Sequence, residues 1–239
     1  MEAAELLAPL AQAPERSALI LDVDGTLAPI APRPELATVP EGTRAELARL
    51  AGRYLLVACV SGRAGDDARR LVDVEGIEFV GNHGLELDPR AHELAGEIAR
   101  FRDAVGLPVE DKTLSLSYHY REAQDERAAQ EALAKVAERA RAEGLDARWG
   151  RKVLEIRPQV RADKGTAVRT LLERSGARLG LYAGDDTTDL DAFAGLRGAG
   201  LEQAVCVAVA SGEGPAELRE AADLVVTGPE ETAALLRLL

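Results

Sequence analysis

The chain has 239 residues, of which 46% are hydrophobic, so it is long enough for one large domain or for a core with a smaller domain. It carries 29 basic against 41 acidic residues, a formal net charge of -12. This balance argues against nucleic acid and anionic membranes as partners, because both require a basic face. An anionic substrate would have to be attracted locally, by a metal ion, a lysine or backbone N–H groups.

Cysteine usage bears on the expected location. Cys59 and Cys206 both lie inside apolar runs, and two cysteines in a chain of this length do not form a disulfide framework. We therefore expect buried thiols in a reducing cytoplasm. The sequence shows no signal peptide and no run of 18 apolar residues.

The N-terminal part contains the stretch on which the rest depends. A short helix is predicted over 2–12, and it is stopped by Pro14. Residues 18–21 are apolar on both faces, which is typical of a central strand of a parallel sheet. Asp22 and Asp24 stand at the carboxyl end of that strand, where such sheets place their chemistry.

Helices and strands then alternate. Helices are predicted over 41–51 and 64–72, and strands over 54–60 and 77–80. Each strand ends in polar residues, Ser61-Gly62-Arg63 and then Gly81-Asn82-His83-Gly84. A hydroxyl with backbone N–H groups at such a position can hold a phosphate oxygen. For His83 two interpretations remain open, contact with a substrate or support of the loop.

The pattern changes after residue 106. Residues 111–121 alternate strictly between polar and apolar, which predicts one strand of an antiparallel sheet. A charged helix is predicted over 122–141, and strands over 145–149 and 152–156 form a hairpin that turns at Gly150-Arg151. We interpret residues 107–160 as a small inserted α+β domain.

Strand parity in this segment leaves one question open. An uninterrupted strand would place Glu110 and Lys112 on the face opposite Ser115 and His119. Either the strand is broken near Asp111, or these groups do not all face one ligand.

The alternating pattern resumes after the insertion. Lys164 precedes a helix predicted over 166–174, and a strand over 179–183 ends in Gly184-Asp185-Asp186, with Asp189 following. Two further strands, 204–208 and 224–226, and a closing helix over 230–239 complete the pattern. The fold class is therefore α/β, a doubly wound, Rossmann-like parallel sheet with a small inserted domain.

Four polar clusters thus lie where strands end or helices begin. Asp22 and Asp185 can supply carboxylates to Mg2+, and a carboxylate beside that ion can attack a phosphoryl group. Ser61 and Lys164 can hold the remaining phosphate oxygens, and Asp24 can move a proton to the leaving oxygen.

The order and spacing of these clusters resemble the four-motif signature of the haloacid dehalogenase superfamily. The resemblance implies a core of residues 1–106 and 161–239 and a C2-type cap of residues 107–160. It implies Asp22 as nucleophile and Asp24 as general acid and base, with the Asp24 backbone carbonyl on Mg2+. It further implies that Ser61 and Lys164 hold phosphate, and that Asp185 and Asp189 belong to the metal site.

The inserted segment contains Glu110-x-Lys112, His119-Tyr120-Arg121 and Glu155-x-Arg157-Pro158. Together with Lys164-Gly165 and Gly184-Asp185-Asp186-x-Thr188-Asp189, these motifs resemble the trehalose-6-phosphate phosphatase family. In that family, residues matching Glu110, Lys112 and Glu155 grip sugar hydroxyls away from the phosphate. The other residues expected to bind or line the substrate are Arg63, Asn82, His83, His119, Arg121 and Arg157.

The resemblance implies a Mg2+-dependent phosphatase that converts trehalose 6-phosphate to trehalose and phosphate through an aspartyl phosphate, with a cap that closes to exclude water. Three alternatives remain: a capped phosphatase for sucrose phosphate, a mannosyl compound or a hexose phosphate; a phosphomutase; and a non-catalytic sugar-phosphate sensor. The sequence identifies no trehalose-phosphate synthase as a partner.

Overall fold

The computed structural model describes residues 3–150, 152–210 and 214–239. These residues form two compact units: Met1–Gly84 with Ala162–Leu239, and Leu85–Arg161. Within the part described, the strands are β1 (Ser17–Leu21), β2 (Leu56–Val60), β3 (Glu78–Val80), β4 (Glu110–Asp111), β5 (Leu116–His119), β6 (Leu145–Gly150), β7 (Val153–Pro158), β8 (Leu179–Gly184), β9 (Gln203–Ala210) and β10 (Leu224–Thr227). The α-helices are α1 (Ala3–Gln12), α2 (Glu41–Ala51), α3 (Gly65–Val72), α4 (Pro89–Glu93), α5 (Ala95–Val105), α6 (Glu126–Ala142), α7 (Lys164–Ser175), α8 (Asp189–Arg197), α9 (Ala216–Ala221) and α10 (Gly228–Leu236).

The larger unit is built on a parallel sheet, as predicted. Among the described residues it has six strands in the order β10-β9-β8-β1-β2-β3, and every neighbouring pair is parallel. All five residues of β1 are buried, because β1 is paired on both edges and covered on both faces. Leu19 and Leu21 pack into a core with side chains of α1 and α2, while α7 contacts β1 and β2. This two-sided burial explains the apolar run in the sequence.

The smaller unit has an antiparallel sheet in the order β4-β5-β7-β6. Its apolar core joins this sheet to α5 and α6. The unit begins at Leu85, whereas the predicted insertion begins at residue 107. The difference arises because Ile98 and Phe101 of α5 pack against Leu116 and Ile156 in the core of the smaller unit.

The prediction of one strand over 111–121 is wrong, because the chain reverses there. Thr113 has a φ of 68°, the Leu114 N–H donates to the Lys112 carbonyl at 2.8 Å, and the Lys112 N–H donates to the Ser115 carbonyl at 3.0 Å. β4 and β5 are therefore the two arms of a hairpin, and Glu110 lies opposite Ser117. The strand is broken, which is the first of the two alternatives given above.

Some predicted boundaries also shift. α6 begins at Glu126 rather than at residue 122, because the Asp125 carboxylate caps it by accepting the Ala128 N–H at 2.9 Å. β6 and β7 form the predicted hairpin, but Arg151 of the predicted turn lies outside the described residues, as does Glu2 of the first helix. Among the described helices, none combines the length and the apolar character needed to cross a membrane.

Candidate functional site

The carboxyl ends of β1 and β8 bring two aspartates to one edge of the sheet. The two strands are neighbours, with Leu21 opposite Ala183. Asp22 follows β1 directly, its N–H donates to the Ala183 carbonyl at 2.8 Å, and Asp185 follows β8. Both aspartates are buried. Adjacent parallel strands must place their last residues side by side, so this pairing follows from the topology.

Lys164 lies between two of the carboxylates. Its Nζ is 3.0 Å from Asp22 Oδ1 and 2.6 Å from Asp189 Oδ1. The exposed fractions of the Lys164, Asp22 and Asp189 side chains are 2%, 7% and 0%. Lys164 is the first residue of α7, two residues earlier than the predicted helix start, because Asp163 and Thr166 form a capping box there.

Burial and charge shift the pKa values of these groups. Burial raises the pKa of Asp22 well above its ordinary value; Lys164 opposes the rise, and the charges of Asp189, Asp185 and Asp24 add to it. Burial alone would lower the pKa of Lys164, but the charges of Asp189 and Asp22 raise it overall, so the ammonium stays protonated. The site therefore combines one fixed cation, Lys164, with a buried Asp22 carboxyl that resists ionisation.

The carboxylate cluster fits a divalent cation. Ligand oxygens of Asp22, Asp185 and Asp189 all lie within 4.8 Å of one another. When all three carboxylates are ionised, the single ammonium of Lys164 leaves a net charge of two minus, which a divalent ion would neutralise. An all-oxygen donor set is what a hard cation such as Mg2+ prefers.

Two glycines make room for this cluster. Gly25 has a φ of 83°, and a Cβ at that position would collide with the Asp185 carboxylate. A Cβ at Gly184 would likewise collide with the Asp189 carboxylate. Any larger residue at either position would displace an acidic group of the site.

Asp24 and Arg63 form a bidentate ion pair. Arg63 donates from Nε to Asp24 Oδ2 at 2.6 Å and from Nη2 to Asp24 Oδ1 at 2.7 Å. The pair leaves about a third of the Asp24 side chain exposed, 31%, against 13% for Arg63. Arg63, predicted as a substrate contact, thus fixes the orientation of the predicted acid and base.

The loops that follow β2 and β3 are joined by backbone hydrogen bonds. His83 N–H donates to the Ser61 carbonyl at 2.9 Å, and Asn82 N–H donates to the Arg63 carbonyl at 2.7 Å. Asn82 and His83 have φ values of 53° and 52°, and a Cβ at Gly62 would lie 2.6 Å from the His83 ring. Of the two interpretations of His83, these contacts favour support of the loop that presents Ser61.

The smaller unit gathers most of the predicted sugar contacts on one sheet face. Glu110 opposes Ser117, and Ser117 opposes Glu155, so the three share a face. His119 Nε2 is 2.6 Å from Glu110 Oε2, and Lys112 Nζ is 3.9 Å from the same oxygen.

Ser115 and Arg157 lie beside Glu155 in this unit, whereas Arg121 does not belong to the sheet face. Ser115 Oγ donates to Glu155 Oε1 at 3.3 Å. Arg157 is fully buried and stands two residues beyond Glu155 on β7, so it lies on the same face. Arg121 lies two residues beyond the end of β5, outside the strands of this sheet.

Tyr182 is a site residue that the sequence analysis missed. It is fully buried in β8, and its hydroxyl donates to Asp189 Oδ1 at 2.7 Å. Burial raises the pKa of Tyr182 well above its ordinary value, and the charge of Asp189 raises it further, so the hydroxyl remains a donor. A polar tip within an apolar strand, two residues before the glycine that precedes the aspartates, is the signal that could have revealed it.

Comparison with known proteins gives consistent results. Residues 20–97 and 99–225 match the family model described as trehalose-phosphatase. Over 203 residues the chain is 37% identical to a trehalose-phosphate phosphatase of Mycolicibacterium paratuberculosis, an alignment that covers 76% of this chain and 51% of that protein. It is 38% identical over 210 residues to an uncharacterized glycosyl hydrolase of Mycobacterium tuberculosis, covering 78% of this chain and 16% of that protein. The chain thus spans about half the length of the first relative and about a sixth of the second.

Solved structures support the fold. A trehalose-6-phosphate phosphatase related protein superposes with a TM-score of 0.77 at 24% identity, covering 92% of this chain and 95% of the other. A haloacid dehalogenase-like hydrolase from Bacteroides thetaiotaomicron gives a TM-score of 0.60 at 17% identity, covering 94% of this chain and 100% of the other. At these identities the likeness establishes the fold, which is of the haloacid dehalogenase type.

Because the pKa of Asp22 is raised in the folded state, the folding stability of the metal-free protein should depend on pH. Well below the ordinary pKa the carboxyl is protonated in both the folded and unfolded states. As pH rises toward the folded pKa the unfolded state ionises first, so the folded state loses stability. In chelator, Asp22→Asn should therefore raise the melting temperature at about pH 8 and raise it much less at about pH 4.5.

Thermal unfolding followed by circular dichroism at both pH values measures this difference. Glu75→Gln, at an exposed position of the same unit, serves as the control and should show no pH-dependent gain. An equal shift at both pH values, or a loss at the higher pH, would contradict the electrostatic description of Asp22.

Proposed function

The chain belongs to the trehalose-phosphatase family, and on that premise we propose that it hydrolyses trehalose 6-phosphate to trehalose and inorganic phosphate. The observation that carries the proposal is the buried Lys164 ammonium held between the carboxylates of Asp22 and Asp189. A buried cation beside carboxylates is suited to a dianionic phosphate, because low polarity strengthens its attraction for the incoming oxygens.

Asp22 is proposed as the nucleophile. Its carboxylate oxygen forms a bond to phosphorus while the bond from phosphorus to the sugar oxygen breaks, which leaves an aspartyl phosphate. Asp24 gives its proton to the departing sugar oxygen, and it later takes a proton from the water that cleaves the aspartyl phosphate. The bidentate contact with Arg63 orients Asp24 for both transfers.

Lys164 and Ser61 are proposed to hold the phosphate. Lys164 balances the charge that builds up when a carboxylate meets a phosphoryl group, and it remains protonated because Asp189 and Asp22 raise its pKa. Ser61 is buried and is presented by the loop that His83 and Asn82 support. These groups bind the phosphate irrespective of the alcohol to which it is esterified.

We take the cofactor to be Mg2+. The carboxylates of Asp22 and Asp185 and the Asp24 backbone carbonyl would hold it, and Asp189 is the further acidic residue that the family resemblance assigns to the metal site. When bound, the ion would neutralise the clustered carboxylates and polarise the phosphoryl group.

Recognition of the sugar is assigned to the polar sheet face of the smaller unit. Carboxylates there can accept hydrogen bonds from hydroxyls, and Lys112 can donate to them. Glu110 is oriented by His119, and Glu155 by Ser115. Carboxylates fixed in this way suit a disaccharide, which presents mainly hydroxyl groups. Because both cysteines are buried free thiols, we further propose a reducing cytoplasm as the location.

Phosphate release from a panel of esters tests the proposed activity. With Mg2+, we expect trehalose 6-phosphate to be cleaved with a kcat/KM at least about 100-fold above that for glucose 6-phosphate, sucrose 6-phosphate or p-nitrophenyl phosphate. Chelator should abolish the reaction, and Asp22→Asn should reduce it at least about 1,000-fold.

Other outcomes of this panel would change the proposal in defined ways. Equal rates for all esters would overturn the assigned sugar but not the aspartate chemistry. Transfer of the phosphate to a second sugar would indicate a phosphomutase. No turnover of any ester would indicate a sugar-phosphate sensor.

If the smaller unit binds the sugar, a substitution there should affect trehalose 6-phosphate but not p-nitrophenyl phosphate, which has no sugar. Glu155→Gln keeps the shape of the side chain but removes its charge, so hydrogen bonds from sugar hydroxyls weaken. We expect the KM for trehalose 6-phosphate to rise about tenfold or more, while kcat/KM for p-nitrophenyl phosphate stays within about twofold.

Glu131→Gln, on the exposed face of α6, is the matched control, and it should change neither value. If Glu155→Gln lowered turnover of both substrates equally, Glu155 would not be a sugar contact.

A further inference from the structure

The buried hydroxyl of Tyr182 lies next to the charged groups of the site, although Tyr182 is not part of any of the four sequence motifs. Tyr182 stands in the interior of β8, and its ring packs edge-on against Phe193 of α8, with centroids 6.0 Å apart and an interplanar angle of 80°. The Tyr182 hydroxyl and the Lys164 ammonium both donate to Asp189 Oδ1, at 2.7 and 2.6 Å. Tyrosine hydroxyls are seldom buried without a partner, and here the partner is a charged residue of the site.

These contacts leave the Asp189 carboxylate little freedom to turn. A carboxylate has about four acceptor positions, two on each oxygen. Lys164 and Tyr182 occupy those of Oδ1, and the Asp186 N–H donates to Oδ2 at 2.8 Å. Asp189 is fully buried, so its orientation is set by these three donors.

The three donors come from different elements, and this fixes Asp189 relative to the sheet. Lys164 is the first residue of α7, and Asp189 is the first residue of α8. The two helices approach so closely that a Cβ at Gly195 would collide with the backbone of Gly165. Tyr182 belongs to β8, the strand that pairs with β1 and so adjoins Asp22. The hydroxyl therefore ties the helix pair to β8, the neighbour of the strand that ends at the nucleophile.

We infer that Tyr182 is a positioning residue that acts through Asp189 to hold the Lys164 ammonium against Asp22. Asp189 serves in this arrangement as the anchor of Lys164. The inference rests on the proposed function for its kinetic consequence, but its structural consequence at Lys164 does not depend on any activity.

Tyr182→Phe tests the inference, because it removes the hydroxyl and retains the ring that packs on Phe193. With trehalose 6-phosphate and Mg2+, we expect kcat to fall about tenfold and KM to stay within about twofold, since the hydroxyl positions Lys164 and does not touch the substrate. Tyr54→Phe is the matched control: it removes another buried hydroxyl of the larger unit, which donates to the Leu239 carbonyl at 3.0 Å. A general loss of stability would affect both variants, and thermal unfolding of each measures it.

A second readout follows Lys164 directly. The chain has four lysines, so the side-chain nitrogen spectrum of protein labelled at lysine with 15N is simple, and Lys164→Arg identifies the Lys164 signal. Tyr182→Phe should shift that signal and leave the other three unchanged, and Tyr54→Phe should shift none of them.

The inference is overturned if the Lys164 signal is unmoved in Tyr182→Phe, or if the variant changes KM and not kcat. If the wild-type protein cleaves no ester, the proposed function fails. The Lys164 signal then decides the positioning role alone: a shift supports it and an unmoved signal refutes it.

Discussion

One buried ammonium organises the larger unit. Lys164 lies between Asp22 and Asp189, and the burial of all three makes each charge depend on the others. Removing the Lys164 ammonium would leave its carboxylate neighbours uncompensated in a medium of low polarity, which is costly. The sheet, α7 and α8 must therefore meet at one point, and Gly25 and Gly184 leave the space in which the carboxylates converge. The acidic groups of the site outnumber its one cation. Their mutual repulsion lowers the stability of the metal-free fold, and the same charge would attract a metal cation.

The smaller unit also brings charged side chains together, and it does so through a chain reversal at Thr113. The reversal at Thr113 turns a polar and apolar alternation into two strands and brings Glu110 opposite Ser117. Glu155 joins the same row across β7, so acidic side chains line one face while Leu116 and Ile156 fill the other. His119 and Ser115 orient the two glutamates. Oriented acceptors lose less entropy when a polyol binds, which is the physical basis for assigning sugar recognition to this face.

The sequence was sufficient for the parallel sheet and for the acidic cluster, because two-sided apolar runs end in aspartates and strand ends of a parallel sheet converge. It was not sufficient for the hairpin at Thr113, since alternation looks the same in one strand and in two antiparallel arms. The ion pair between Asp24 and Arg63 depends on loop geometry that spacing does not encode. Tyr182 was missed because one aromatic residue in an apolar strand is ordinarily a core residue. Ile98 lies between the third predicted strand and the predicted insertion, where no motif marks a change of unit, so the sequence left it outside the insertion.

The proposed mechanism depends most on Asp22 as the group that receives the phosphate. Rapid quenching during turnover of trehalose 6-phosphate with Mg2+, followed by borohydride reduction and peptide mass spectrometry, tests this directly, because borohydride converts an aspartyl phosphate to homoserine. If Asp22 is the nucleophile, we expect homoserine at position 22 and unmodified aspartate at positions 24, 185 and 189. Turnover that leaves Asp22 unmodified under conditions that trap the intermediate of a known aspartyl-phosphate enzyme, or reduction at another aspartate, would contradict it.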